Sequence, residues 1–179
     1  MRAAMDGRLD DAWDALAEAE RIVAGSGGEN GRLLTGTLRW HLLAELDDQD
    51  GVAEILAVSG LERIPGVWPL VARALCAAQL GQWGPARALL DTAAARLPDV
   101  ERDSEWLPMV CQVAETVGGL GPHPAAAWAY DALLPYRSLF AVEGSAAPSA
   151  VRSSGPSACW PLPSDASIGV IDAAGPADG

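Results

Sequence analysis

Lysine is absent from this chain: all 12 cationic residues are Arg, set against 24 Asp and Glu, for a formal net charge of −12. A surface of that sign repels phosphate instead of releasing its counterions, which argues against direct nucleic-acid binding. Phe is confined to Phe140, and cysteine to Cys76, Cys111 and Cys159, which are far apart, odd in number and form no CxxC pair. Neither a zinc site nor a disulfide framework is signalled, and reduced cytoplasmic thiols fit best. Long apolar runs are missing too. Gly66 to Leu80 is broken by Pro69 and Arg73, and Met1 to Leu16 lacks the continuous apolar core of a signal peptide. A cytoplasmic location without membrane association is expected. The bias toward Ala, Gly, Pro and Arg is what GC-rich coding produces.

What the 179 residues do contain is 50% apolar side chains, enough for one domain's core. The stretch Leu80-Gly81-Gln82-Trp83-Gly84-Pro85-Ala86-Arg87-Ala88-Leu89-Leu90 has the pattern of a helix–turn–helix, and weaker copies of it occur at three other places. Aligned on the small residue that lets a second helix approach a first, the copies fall at Ala12, Ala53, Ala86 and Ala126, spaced 41, 33 and 40 residues. Tetratricopeptide repeats have a period of about 34 residues, and longer relatives are common. The predicted fold class is all-α: antiparallel helix-hairpin repeats stacked as a tetratricopeptide-like α-solenoid. Such repeats bury a core by stacking and hold partners more often than they do chemistry.

Leu9, Ala12, Trp13, Leu16, Ala19 and Ile22 form the stripe of a helix ending near Gly25 to Gly28. Leu34, Leu38, His41, Leu42 and Leu46 make the next stripe, followed by a short helix over 52–58. Helices over about 68–80 and 83–97 come next, the second with Trp83, Ala86, Leu90, Ala93 and Leu97 inward and Pro98 as its stop. Asp103 or Ser104 is placed to cap a helix with Trp106, Met109, Val110, Val113 and Val117 inward, ended by Gly118-Gly119. Pro124 opens a last helix that Pro135 is expected to terminate or kink. The helical-repeat domain is assigned to 1–143. Residues 144–179 hold five Pro, five Gly and seven Ser and sustain neither period, so they are predicted to be a disordered Pro/Gly/Ser/Ala-rich tail.

No catalytic constellation emerges, and no cofactor or metal is expected. His41 lies on an inward stripe and reads as a core histidine, while His123 between two prolines reads as a turn residue. Asp10-Asp11, Asp47-Asp48 and Asp50 lack the spacing of a calcium loop and suit helix N-termini. Cys76 and Cys111 sit in apolar helical stretches, as small buried hydrophobes do. Most of the seven Trp suit core packing. The candidate groove for a peptide or apolar effector is formed by Arg39, Trp40, Trp68 and Arg73 on a concave solenoid face.

The run Arg102-Asp103-Ser104-Glu105-Trp106-Leu107-Pro108, followed by His123-Pro124-Ala125-Ala126-Ala127-Trp128-Ala129-Tyr130-Asp131-Ala132-Leu133-Leu134-Pro135-Tyr136, resembles the C-terminal helical repeats of large bacterial ATPase regulators. In that family an AAA-type or STAND-type module precedes the repeats, and a LuxR-type helix-turn-helix or a nucleotide-cyclase domain accompanies them. The resemblance covers Arg2 to about Gly144 and implies a regulator's scaffold. Its partner would be the regulator's ATPase module or another protein, with a small effector as a further ligand. The opening hairpin lacks most of its first helix, so the chain is expected to begin inside a repeat. The family continues with another helix where this chain has its tail. Reading back-translated Ser145 to Asp165 from the third codon base restores a similar pattern, so a shift of the reading frame near Gly144 is expected. Uncapped repeat ends would then favour self-association. Three functions follow: a non-catalytic protein-interaction or effector-sensing fragment of a transcription or signalling regulator, an independent small-molecule-binding or enzymatic α-helical domain, or a non-functional gene remnant.

Overall fold

Apolar residues recurring at three- and four-residue steps become helices wherever a cap or a breaker bounds them. A computed structural model describes residues 3, 6–26, 28–136, 141–142 and 148–149. Seven α-helices succeed one another among these: α1 (Leu9–Ser26), α2 (Glu29–Glu45), α3 (Gln49–Ser59), α4 (Trp68–Gln79), α5 (Trp83–Ala94), α6 (Trp106–Leu120) and α7 (Ala125–Leu133). Short 3-10 turns at Leu61–Arg63, Leu97–Asp99 and Leu134–Tyr136 join or end them. Each helix packs against its sequence neighbour, and α4 also packs against α6. The architecture is all-α, with helices paired in adjacent order. Ala141–Val142 pairs antiparallel with Pro148–Ser149 beside α6. The rest of the tail expected to be disordered lies outside the described residues.

The repeat is written in the backbone. Left-handed residues occur at Gly7, Asp47, Gly81 and Gly121, spaced 40, 34 and 40 residues. Five residues after each comes a buried side chain: Ala12, Val52, Ala86 and Ala126. At α4 the Gln82 N–H donates to the Ala77 carbonyl and the Gly81 N–H to the Ala78 carbonyl, the pair of hydrogen bonds that closes a helix ending in a left-handed residue. At α2 the same two bonds run from Asp48 to Leu43 and from Asp47 to Ala44, with Asp47 accepting a φ of 55°. Arg8 to Ala3 repeats the longer bond. In the fourth copy Pro122 has no N–H to give, and the Arg87 side chain donates instead to the carbonyls of Leu120 and Pro122.

That register corrects the sequence alignment at one copy. Ala53 is exposed and Val52 carries the contact, because α3 starts at Gln49 under the Asp48 side-chain cap, which accepts from the Gly51 N–H at 3.0 Å. The close approach in this pair belongs to Gly51, where an added Cβ would lie 2.7 Å from Leu43 Cδ2. Three inward assignments also differ. Ile22 is exposed because the line of α1 facing α2 runs through Ala12, Leu16 and Val23, and Leu46 is exposed because it lies past the end of α2. Trp83 is half-exposed at the first turn of α5, its ring laid over Gly119 of α6. Gly118-Gly119 does not end α6, which runs to Leu120 and stops at Gly121, whose φ is 75°.

The two largest clusters of the core share α4. Val71 and Ala74 face Leu90, Leu97, Met109, Val113, Val117 and Ala129 from α5 to α7. Ala72, Leu75 and Cys76 face Trp40, Leu43, Val52 and Leu61. A helix apolar on nearly every side is thereby explained as the shared wall between neighbouring hairpins. Ala12 and Leu16 tie α1 to Leu42 in a smaller third cluster. Fully burying a Leu or Val side chain contributes about 1.5–3 kcal/mol, against under about 1 kcal/mol for a surface ion pair, so the clusters hold the array together.

Candidate functional site

The first helices of successive hairpins, α2, α4 and α6, are joined by a row of polar side chains. Trp40 Nε1 donates to Gln79 Oε1 at 2.8 Å, and Gln79 Nε2 donates to Glu115 Oε1 at 3.4 Å. His41 stacks on the Trp40 ring with centroids 5.1 Å apart. Crowding by the helices pushes the Glu115 carboxyl above its ordinary value, while the Gln79 bond and the nearby His41 pull the other way. Cys76 and Cys111 lie behind this row, buried and reduced. Burial pushes both thiols up to about 12, so they are poor nucleophiles, in keeping with their reading as small hydrophobes.

Of the four residues assigned to a groove, Trp40 and Trp68 meet in the α2–α4 core cluster, while Arg39 turns to α1. Arg39 binds Glu20 through two bonds of 2.9 and 2.7 Å and lies 5.4 Å from the centroid of Trp13, which fastens α2 to α1. Trp40 is 5% exposed and belongs to the row just described. Trp68, at the start of α4, is partly buried and lines a cleft of ≈ 470 Å³. Arg73 is half-buried midway along α4 and does not line that cleft. The polar partners Gln79 and Glu115 were not singled out from sequence. Their signal is spacing: Trp40 to Gln79 is 39 residues and Gln79 to Glu115 is 36, about one repeat each.

The cleft lies between the 64–69 segment and the 96–106 connection leading into α6. Its lining combines Trp68, Trp106 and Met109 with Asp99, Asp103, Glu105 and Arg96. Asp103 helps to build it by accepting from the Glu105 N–H at 2.9 Å, but Glu105 is the residue just ahead of α6 and no side chain caps that helix, so the cap expected from Asp103 or Ser104 is not made. A smaller cleft of ≈ 190 Å³ shares Trp106 and adds Arg102, Trp128 and Asp131. There the Arg102 guanidinium sits 4.6 Å from the Trp106 ring centroid.

His123 is a hinge-pin of the last pair. Its Nδ1 accepts from the Ala125 N–H at 3.1 Å, which leaves Nε2–H to donate to Asp91 Oδ1 at 3.0 Å. The ring thus caps α7 and ties it to α5, a turn role as expected. Among the described residues no group of three His, Cys, Asp or Glu is placed to hold a metal ion, and no helix is long and apolar enough to cross a membrane. Comparisons with protein-family models, curated proteins and solved structures find no match to this chain.

Proposed function

We propose that this chain is a non-catalytic helical-repeat segment of a cytoplasmic signalling or transcription regulator, whose repeats hold a protein partner or sense an effector. The observation that carries the reading is the Trp40–Gln79–Glu115 row. One polar side chain from each of three successive first helices meets its neighbour, and the Gln79 amide and Glu115 carboxylate form the exposed end of the row, over the buried Trp40. A partner lying across that face would exchange the Gln79–Glu115 bond for its own. Repeat arrays built of equivalent units supply extended binding surfaces of this kind. The likeness of Arg102 to Tyr136 to the repeats of ATPase regulators supports an ATPase module as the partner, and the excess of acidic residues favours protein over nucleic acid.

The test pairs the purified chain with the nucleotide-binding module encoded nearest to it. Calorimetry is expected to show binding, and ATP turnover by the module is expected to fall when the chain is added. Gln79→Ala with Glu115→Ala should weaken both effects while helicity is kept. No heat of binding together with unchanged turnover would contradict the proposal.

A further inference from the structure

We infer that the ≈ 470 Å³ cleft between the 64–69 segment and the start of α6 receives an arginine side chain from a peptide segment of the partner. The idea rests on the reading of the chain as a binding scaffold, but on different residues from the α2–α4–α6 face.

Charge is the first argument. Asp99, Asp103 and Glu105 line the cleft against the single cation Arg96, so the rim keeps an excess of carboxylate. Shape and chemistry are the second: the indoles of Trp68 and Trp106 offer flat apolar lining beside those carboxylates, the pairing that suits a planar guanidinium better than a compact ammonium. The molecule supplies its own precedent next door. The smaller cleft, which shares Trp106, already takes this chain's Arg102 guanidinium 4.6 Å from the ring centroid, with Asp131 in the same lining. The volume lies in the range of small-ligand sites and suits one long side chain with its flanking backbone.

The experiment titrates the 15N-labelled full chain with the tripeptide acetyl-Gly-Arg-Gly-amide and with its citrulline counterpart, which keeps the shape and loses the charge. The arginine peptide is expected to shift the indole N–H resonances of Trp68 and Trp106, to bind at least tenfold more tightly than the citrulline peptide, and to weaken as salt is raised. Asp99→Asn with Glu105→Gln should abolish the preference and leave the far-UV circular dichroism unchanged. Equal affinity for the two peptides, an unaltered preference in the double variant, or no indole shift at all would overturn the inference. Such a failure leaves the α2–α4–α6 reading standing, because neither Trp68, Asp99 nor Glu105 belongs to that face.

Discussion

At the scale of single residues, the two thiols behind the polar row make the plainest prediction. Cys76 and Cys111 ordinarily titrate near 9.0, and burial in the folded chain raises both to about 12. The folded state therefore keeps protons that the unfolded chain sheds. Their contribution to stability is fully present below pH 9 and is lost as pH climbs toward 12. In a Cys159→Ser background, urea midpoints should fall more steeply above pH 9 than those of the same chain carrying Cys76→Ala and Cys111→Ala. A thiol reagent at pH 8 should find both groups unreactive until denaturant is added; rapid labelling of the native chain would show that the burial is wrong.

At the scale of elements, glycine marks where helices touch. Gly31 of α2 faces Val23 of α1, and a Cβ placed there would meet Val23 Cγ2 at 2.8 Å. Valine is stiff about its one side-chain torsion, so the clash cannot be relieved by a rotamer change alone. Gly31→Ala should destabilise the chain by about 1–3 kcal/mol, the usual cost of overpacking. Gly36, five residues along the same helix, has nothing within 4 Å of such a Cβ. Gly36→Ala should therefore stabilise by about 0.5–1 kcal/mol through the lower backbone entropy of the unfolded chain. Denaturation midpoints that move in the same direction for both variants would contradict this packing of α1 on α2.

The same elements show what was legible in the sequence. Helix existence came through because Ala86, Leu90 and Ala93 in α5, and Met109, Val113 and Val117 in α6, recur at three- or four-residue steps and are all buried. The slip of one residue at Ala53 came from treating a small side chain as the mark of close approach, when in α3 that role belongs to Gly51 and the buried position to Val52. Asp47 was hidden for a related reason: its left-handed backbone does the work that Gly81 does in the next copy, and only the fold shows that an aspartate can stand in for glycine there. The polar row escaped notice because its members sit about a repeat apart, so each looks like an isolated polar residue until α2, α4 and α6 are placed side by side. Arg39, Trp40, Trp68 and Arg73 were grouped by side-chain type, and type alone does not say which helix face each one occupies.

At the scale of the whole molecule, the account depends on serial packing. Core clusters meet at α4, and α1 is held chiefly through Leu16, Ala12 and the Arg39–Glu20 pair at its border with α2. In such an array a local defect is felt by the adjoining units and fades with distance. The most direct measurement is residue-resolved amide hydrogen exchange on the chain and on its Leu16→Ala variant, under conditions where both remain folded. Protection is predicted to drop through α1 and α2 and to recover by α5, with the amides of α6 unchanged. An equal loss of protection from α1 to α7 would show one indivisible core and contradict the repeat architecture.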